Sequence, residues 1–378
     1  MLSNFYIDNA NYQENVIPRL NKKDGHEVKI IASTEVFTEN KKLGYTVPRS
    51  YLNDEGISVT RLPYRRMFHK SISKKVREYP GLYKLIAEFS PDIILFHGGA
   101  AYAMVPVARY KRNNPHIRFY VDSHEDYFNS ATNFMSKQFL HKIFYRWVVQ
   151  KCLPYIDKVL FITFDTYNFL RDAYKIPDSY LSFFPLGGLI PESGIRENIR
   201  SKIRAKLEIS EDQILIIHSG KLDAKKRTLD IVNAFLQVPD QNLKLIIIGS
   251  MDEEVSASTI PLIKSDPRIE YLGWLEADTL RDYLYAGDLY VQLGGQSVTM
   301  QNALCCGCAA ALYPYESHKF LLNDSVFYIK NMEDLKKLIE SISSDRNLLE
   351  MKREESFAIA KSVLDYENIS SKIFNNFA

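Results

Sequence analysis

Gly294-Gly295-Gln296-Ser297-Val298-Thr299-Met300-Gln301-Asn302-Ala303-Leu304-Cys305-Cys306-Gly307 is the stretch from which the fold is read. The apolar run Leu289-Tyr290-Val291-Gln292-Leu293 before it reads as a buried strand, and Ala309-Ala310-Ala311-Leu312-Tyr313-Pro314 after it as another. A helix that starts in a glycine-rich turn leaves its first N–H groups without intrahelical acceptors. Its positive end also faces the turn, so the turn can hold an anion. Ser297 or Thr299 can cap this helix and donate to a phosphate oxygen. A plain strand-to-helix connection with a capped helix is the other reading.

A second turn of the same kind favours the anion. Gly220-Lys221-Leu222-Asp223-Ala224-Lys225-Lys226-Arg227 follows the apolar run Gln213-Ile214-Leu215-Ile216-Ile217-His218-Ser219 and precedes a helix from Thr228. Lys226 and Arg227 at a helix N-terminus oppose its dipole, so they cost stability unless an anion lies between them. A pyrophosphate bridging the two turns fits; chance basic residues in an exposed loop are the alternative.

Outward from these turns, strands and helices alternate along the chain. Ile93-Ile94-Leu95-Phe96-His97, Arg118-Phe119-Tyr120-Val121-Asp122 and Lys158-Val159-Leu160-Phe161-Ile162-Thr163 are strands of a first half. The expected fold is α/β, with two Rossmann-like, doubly wound parallel-sheet domains facing a cleft at their C-terminal strand ends. The cluster Phe184-Pro185-Leu186-Gly187-Gly188-Leu189-Ile190-Pro191 marks a boundary. It suggests domains over 1–190 and 191–355, with a last helix over 356–378. Residues 35–56 are polar and read as a loop.

A chain of 378 residues, 46% hydrophobic, is long enough for two cores. Its net charge of +2 hides an asymmetry: residues 61–151 hold 16 Lys/Arg against 6 Asp/Glu, and the remainder carries −8. The basic residues are interleaved with aromatics in Tyr64–Tyr83 and in a helix over 134–153. This suits an anionic partner, with a helix face packed inside the domain as the other reading. No run reaches transmembrane length and no secretory leader is legible. Cys152, Cys305, Cys306 and Cys308 lack the spacing of a zinc site and read as core residues of a cytoplasmic protein.

The second half resembles the nucleotide-sugar domain of retaining GT-B glycosyltransferases of the broad family 4 (group 1) type. Gly220-Lys221 with Lys226-Arg227, Ile248-Gly249, Tyr271-Leu272-Gly273-Trp274, Ala286-Gly287-Asp288 and Asn302-Ala303-Leu304-Cys305-Cys306-Gly307 carry the likeness. Tyr12-Gln13-Glu14-Asn15, Gly25-His26-Glu27-Val28 and Ser90-Pro91-Asp92-Ile93-Ile94 extend it more loosely to the first half. The resemblance implies that Lys221 with Arg227 (or Lys226) holds the donor diphosphate, together with Gly220, Gly295, Ser297, Val298 and Thr299. It implies that Gly249, Leu272, Gly273 and Trp274 wall the nucleobase, and that His124 lies near the transferred sugar. Tyr12, Gln13, Glu14, Asn15 and His97 fall on the acceptor side. Members commonly carry two glutamates eight residues apart in the central turn. Gly294 stands at the first position and Asn302 at the second, or Gln301 after a one-residue shift. The glycine-rich turn after the first strand is replaced by Asp8-Asn9-Ala10-Asn11.

The implied reaction moves a sugar from a UDP- or GDP-linked donor to a glycan or lipid-linked acceptor with retained configuration. It implies no cofactor and no metal, since cations and helix ends take the metal's place; no Asp-x-Asp sequence occurs. Family association implies bacterial surface polysaccharide assembly, such as O-antigen or capsule, at the inner face of the cell membrane. Peripheral contact with anionic lipid is expected and nucleic acid is not. Two other readings remain: an inactive homologue serving as a binding subunit, and a nucleotide-sugar 2-epimerase, which needs acid/base carboxylates.

Overall fold

The computed structural model describes residues 1–378 apart from 38–42, 128, 132, 193, 295, 296, 376 and 378. The chain forms two compact units, Met1–Pro185 together with Ser370–Ala378, and Leu186–Ile369. The first change of unit falls inside the Pro/Gly cluster. The return falls at Ser370 and not at 356, for a local reason. Gly188 donates its N–H to Leu364 O and accepts from Tyr366 N, which ties the stretch around Asp365 to the second unit.

The first unit contains β1 (Leu2–Ser3), β2 (Lys29–Ser33), β3 (Glu35–Phe37), β4 (Leu43–Tyr45), β5 (Arg49–Leu52), β6 (Ser58–Leu62), β7 (Ile93–His97), β8 (Arg118–Ser123), β9 (Lys158–Phe161) and β10 (Leu181–Phe183). Eight of these make one sheet in the order β10-β9-β8-β7-β1-β2-β6-β5. It is parallel except for β5, which runs antiparallel on β6 at the edge. Residues 35–56, expected as a loop, thus supply β5 and the antiparallel pair β3/β4. The signal was hidden because β5 is a short edge strand, largely exposed, whose residues Arg49-Ser50-Tyr51-Leu52 contain no apolar run. Its Tyr51 hydroxyl is bound to Asp8 and to buried Arg61.

The second unit contains β11 (Ile214–Ser219), β12 (Leu243–Ile248), β13 (Ile269–Gly273), β14 (Leu289–Gln292), β15 (Ala309–Leu312) and β16 (Phe327–Tyr328). They form an all-parallel sheet in the order β13-β12-β11-β14-β15-β16. β11 and β14 are buried along their whole length, as strands covered on both faces must be. The three alanines of β15 leave room for helix Asn347–Ile359 to pack across it.

Both sheets reverse their order at the centre. In the second unit the chain runs outward from β11 to β13 and returns to β14 on the other side of β11. In the first it runs from β1 out to β5 and β6 and returns to β7 beside β1. The carboxyl ends of such neighbouring strands face a crevice open to ligands. All four cysteines are buried and free. Among the described residues, no helix is long and apolar enough to cross a membrane.

Candidate functional site

Because β11 and β14 are neighbours, the turns that follow them come together. Gly220 and Gly249 lie against each other: a Cβ on Gly249 would stand 1.8 Å from Gly220 O, so only glycine fits there. Across this floor lies the Lys226 side chain. A Cβ built on Gly220 would meet its Cε at 3.8 Å, and one on Gly294 its Cδ at 2.9 Å and Nζ at 3.4 Å. The Lys226 side chain therefore lies against both turns, its Cε nearest Gly220 and its Cδ and ammonium nearest Gly294. Partial burial pulls its pKa down, and the charge of Asp223 only partly offsets this. Lys221 is exposed just past the end of β11.

Arg227 behaves differently. It adopts φ 55° ahead of helix Thr228–Leu236, and its guanidinium is held by Asp230 at 2.7 Å and by Lys330 O at 3.0 Å. With its donors turned to protein acceptors, the cation resting on the two glycine turns is Lys226 and not Arg227.

Ser297 is the cap, accepting from Met300 N at 3.2 Å ahead of helix Val298–Cys305. Its hydroxyl proton goes to Gln292 Oε1 at 2.7 Å, so it does not serve a phosphate in this arrangement. Gln292 also accepts from Tyr290 and donates to Gly294 O. This buried brace of the turn was not singled out in the sequence, where it reads as one more strand residue. His218 likewise ties β14 to helix Thr228–Leu236, through Val291 O and Thr228 Oγ1; burial pushes its pKa down to about 4. Val298 and Thr299 open the helix and are partly exposed.

Of the two amide candidates, Gln301 is fully buried, and neither its Oε1 nor its Nε2 has a hydrogen-bond partner among the described residues. Asn302 is partly exposed and its Oδ1 lies beside Gly188. Leu272, Gly273 and Trp274 stand at the end of edge strand β13, with Trp274 58% exposed. Gly295 lies outside the described residues.

In the first unit the helix Gln13–Lys23 follows β1 and places Glu14 beside His97 at the end of β7. His97 Nε2 is 3.3 Å from Glu14 Oε2 and its Nδ1 is 2.7 Å from Asp122 Oδ2. Asp122 Oδ1 accepts from Gly98 N at 2.9 Å. His124 packs edge-on to His97, with ring centroids 4.5 Å apart, and its Nε2 is 3.7 Å from Asp122 Oδ1. Burial alone would discharge His97, but the two carboxylates outweigh it and hold the ring's pKa well above 6.5. Burial likewise opposes the charges of Glu14 and Asp122, yet His97 leaves both carboxyls below their usual range. His124 moves the other way: burial, then the charge of His97, push it down to about 4.

Gln13 and Asn15 are structural ties instead, donating to Pro185 O and Ile7 O. Tyr12 is 45% exposed ahead of the same helix. Asp122 was missed as a site residue because a single acid ending an apolar strand carries no local signal. Ligand atoms of His97, Asp122 and His124 lie within 4.8 Å of one another, a spacing a metal ion can use. Both ring nitrogens of His97 are committed to carboxylates, however, so the group is an ion-paired cluster.

The basic helix is not packed away on all sides. Met135, Phe139, Ile143 and Trp147, four residues apart along 135–147, are 64%, 52%, 60% and 50% exposed. Lys142, Arg146 and Lys151 flank them. Helix Lys70–Val76, with exposed Ile72 and Phe68 near it, adjoins through the Tyr145 hydroxyl on Lys75 O.

Residues 10–187 match the family profile "Glycosyltransferase Family 4" and residues 199–358 match "Glycosyl transferases group 1". An uncharacterized glycosyltransferase of Methanocaldococcus jannaschii, MJ1069, is 23% identical over 228 residues; the match spans 55% of each chain, about half of that relative. Anabaena Alr3699/HepE, solved in complex with UDP, superposes with a TM-score of 0.70 at 14% identity, covering 99% of this chain and 97% of that one. WaaG, a glycosyltransferase involved in lipopolysaccharide biosynthesis, superposes with a TM-score of 0.61 at 14% identity, over 99% and 98% of the two chains. Two order-reversing parallel sheets, with both family profiles laid across them in sequence, make this chain a GT-B glycosyltransferase of the group 1 / family 4 type.

Proposed function

We propose that the protein transfers a sugar, with retention of configuration, from a nucleoside diphosphate donor to a glycan or lipid-linked acceptor. The observation that carries this reading is the Lys226 side chain lying against both Gly220 and Gly294. Lys221 and Lys226 hold the diphosphate, with N–H groups of Val298 and Thr299 facing it at the start of their helix. As the glycosidic bond breaks, negative charge collects on the departing diphosphate. Cations already in place stabilise it without reorganisation, and no metal is needed to do so. Asn302 serves the ribose; Leu272, Gly273 and Trp274 serve the base. HepE has been solved with UDP and UDP-glucose, which supports a uridine donor. His124 serves the sugar, with Glu14 and His97 behind it.

The exposed stripe Met135, Phe139, Ile143 and Trp147, flanked by lysine and arginine, suits peripheral contact with anionic lipid. This fits a lipid-linked acceptor at the inner face of the membrane in surface polysaccharide assembly, a setting that the likeness to WaaG supports.

Calorimetric titration with UDP, GDP and their sugars tests the donor site, and NMR of the released or transferred sugar tests the configuration. Nucleotide release with a retained anomer is the expected result. Epimer formation would favour the 2-epimerase reading, and binding without turnover in the presence of cell extract would favour an inactive subunit. Co-sedimentation with phosphatidylglycerol vesicles tests the stripe. Binding should drop when Phe139, Ile143 and Trp147 are changed to Ser, and equal binding to neutral phosphatidylcholine vesicles would refute the contact.

A further inference from the structure

Both ring nitrogens of His97 face carboxylate oxygens, Glu14 Oε2 and Asp122 Oδ2. A carboxylate only accepts, so both nitrogens carry protons and the ring is an imidazolium. Its neighbour His124 is in the opposite situation. The charged groups facing it are His97 from β7, Asp122 from β8 and Glu14 from helix Gln13–Lys23. The imidazolium lies 4.5 Å away, ring to ring. The Asp122 oxygen nearest His124 already accepts from Gly98 N and stands 3.7 Å from Nε2, beyond hydrogen-bond reach. His124 Nε2 is buried without a hydrogen-bond partner among the described residues, while 30% of the side chain is exposed. The exposed surface therefore belongs to the rest of the side chain.

We propose that His97, clamped between Glu14 and Asp122, is a positioning residue that keeps His124 neutral, with its one proton on Nε2 toward Asp122 and the Nδ1 lone pair free to accept from a sugar hydroxyl. Burial already disfavours charge on His124, a second imidazolium beside the first would be repelled as well, and a protonated His124 would have no lone pair left to accept with. The cluster as a whole then carries −1: two carboxylates, one imidazolium and one neutral ring. The functional half rests on the assignment of His124 to the sugar made above.

The test is NMR of the full-length protein labelled at histidine Cε1, titrated from pH 5 to 8 and assigned with single His→Gln variants. In the wild type neither the His97 nor the His124 resonance should titrate across that range. In His97→Gln the repelling charge is gone while Glu14 and Asp122 remain. His124 should then take up a proton, its midpoint rising by about two pH units or more into that range. Turnover of UDP-glucose and GDP-mannose by His97→Gln should fall about tenfold for each pH unit below the new midpoint, while wild-type kcat/KM stays flat. A wild-type His124 or His97 that titrates between pH 5 and 8 overturns the proposal whether or not the variant folds. If the resonances behave as expected but His124→Ala turns over donor at the wild-type rate, the charge coupling stands and the assignment of His124 to the sugar falls.

Discussion

The two units place ionisable side chains at equivalent points, the carboxyl ends of the strands where sheet order reverses, yet they treat charge in opposite ways. In the second unit the Lys226 side chain lies over glycine backbone with Lys221 exposed nearby in sequence, no carboxylate among the described residues is hydrogen-bonded to either, and burial already strains the charge of Lys226. In the first unit Glu14, His97, Asp122 and His124 settle their charges among themselves. A cation left without a close counter-ion is poised for an anionic ligand, and the folded chain bears its cost until that ligand arrives. A cluster whose charges are largely paired, with −1 left over, offers hydrogen bonds but repels a second anion, which suits an uncharged hydroxyl better than a phosphate.

The comparison breaks most visibly on donor affinity. Lys221→Ala with Lys226→Ala should weaken UDP binding at least about a hundredfold, since each charge-assisted hydrogen bond contributes about 1.5–3 kcal/mol. Arg227→Ala, whose guanidinium serves Asp230 and Lys330 O, should change it less than about threefold. Titration calorimetry reads both, and an equal loss in Arg227→Ala would undo the distinction drawn between the two basic residues.

The second unit also contains charges that are fully compensated, at the opposite end of its sheet. Asp288, at the start of β14, binds Arg200 at 2.8 Å and Arg204 at 3.0 Å, both by side-chain contacts that are nearly buried. Asp288→Ala should cost about 3–5 kcal/mol in urea unfolding, because it strands buried guanidinium. UDP affinity of the folded fraction should be unchanged. A loss of affinity without a loss of stability would mean that compensated charge is not merely structural here.

Stability against pH sharpens the contrast further. His124, His141 and His218 all have pKa values pushed down to about 4, so the unfolded chain binds their protons first. Stability should fall as pH drops from 6.5 toward 4, with a limiting slope of about 1.4 kcal/mol per pH unit for each buried ring. His97 has the opposite sign. Its raised pKa stabilises the fold fully below 6.5, and that contribution is lost as pH climbs above 6.5 through the folded value. Thermal unfolding across pH should peak near 6.5; His97→Gln should remove the decline on the alkaline side and, by raising the His124 midpoint, His124's share of the decline on the acid side, leaving that of His141 and His218.

The smallest effect concerns Gly294. A methyl group there would approach the flexible Lys226 Cδ to 2.9 Å, so the lysine can move aside. Gly294→Ala should lower UDP affinity about threefold, under 1 kcal/mol, and leave the melting temperature nearly unchanged. An unaltered affinity would show that Lys226 does not need its place against that turn.

Much of the second unit's site was legible because it is written locally. A strand, a glycine turn and a capped helix occupy consecutive residues, so Gly220, Ser297 and the helix after it could be read in order. Which cation serves the turn was not legible, since Lys226 and Arg227 are adjacent and differ only in where the backbone sends them. Arg227 at φ 55° is turned to Asp230. Gln301 and Asn302 were likewise undivided by pattern and divided by burial. The edge strand β5 escaped because it lacks the apolar run of a buried strand.

The sequence by itself determined the alternation of strands and helices, the two sheets and the glycine turns, because hydrophobic period and turn chemistry act between near neighbours. Only the tertiary structure decided that Glu14, His97 and Asp122, far apart along the chain, share charge, and that Lys226 lies on turns from two strands. Strand order is set by packing across the sheet, and the electrostatic state of a side chain depends on whichever groups that order brings within a few ångströms of it.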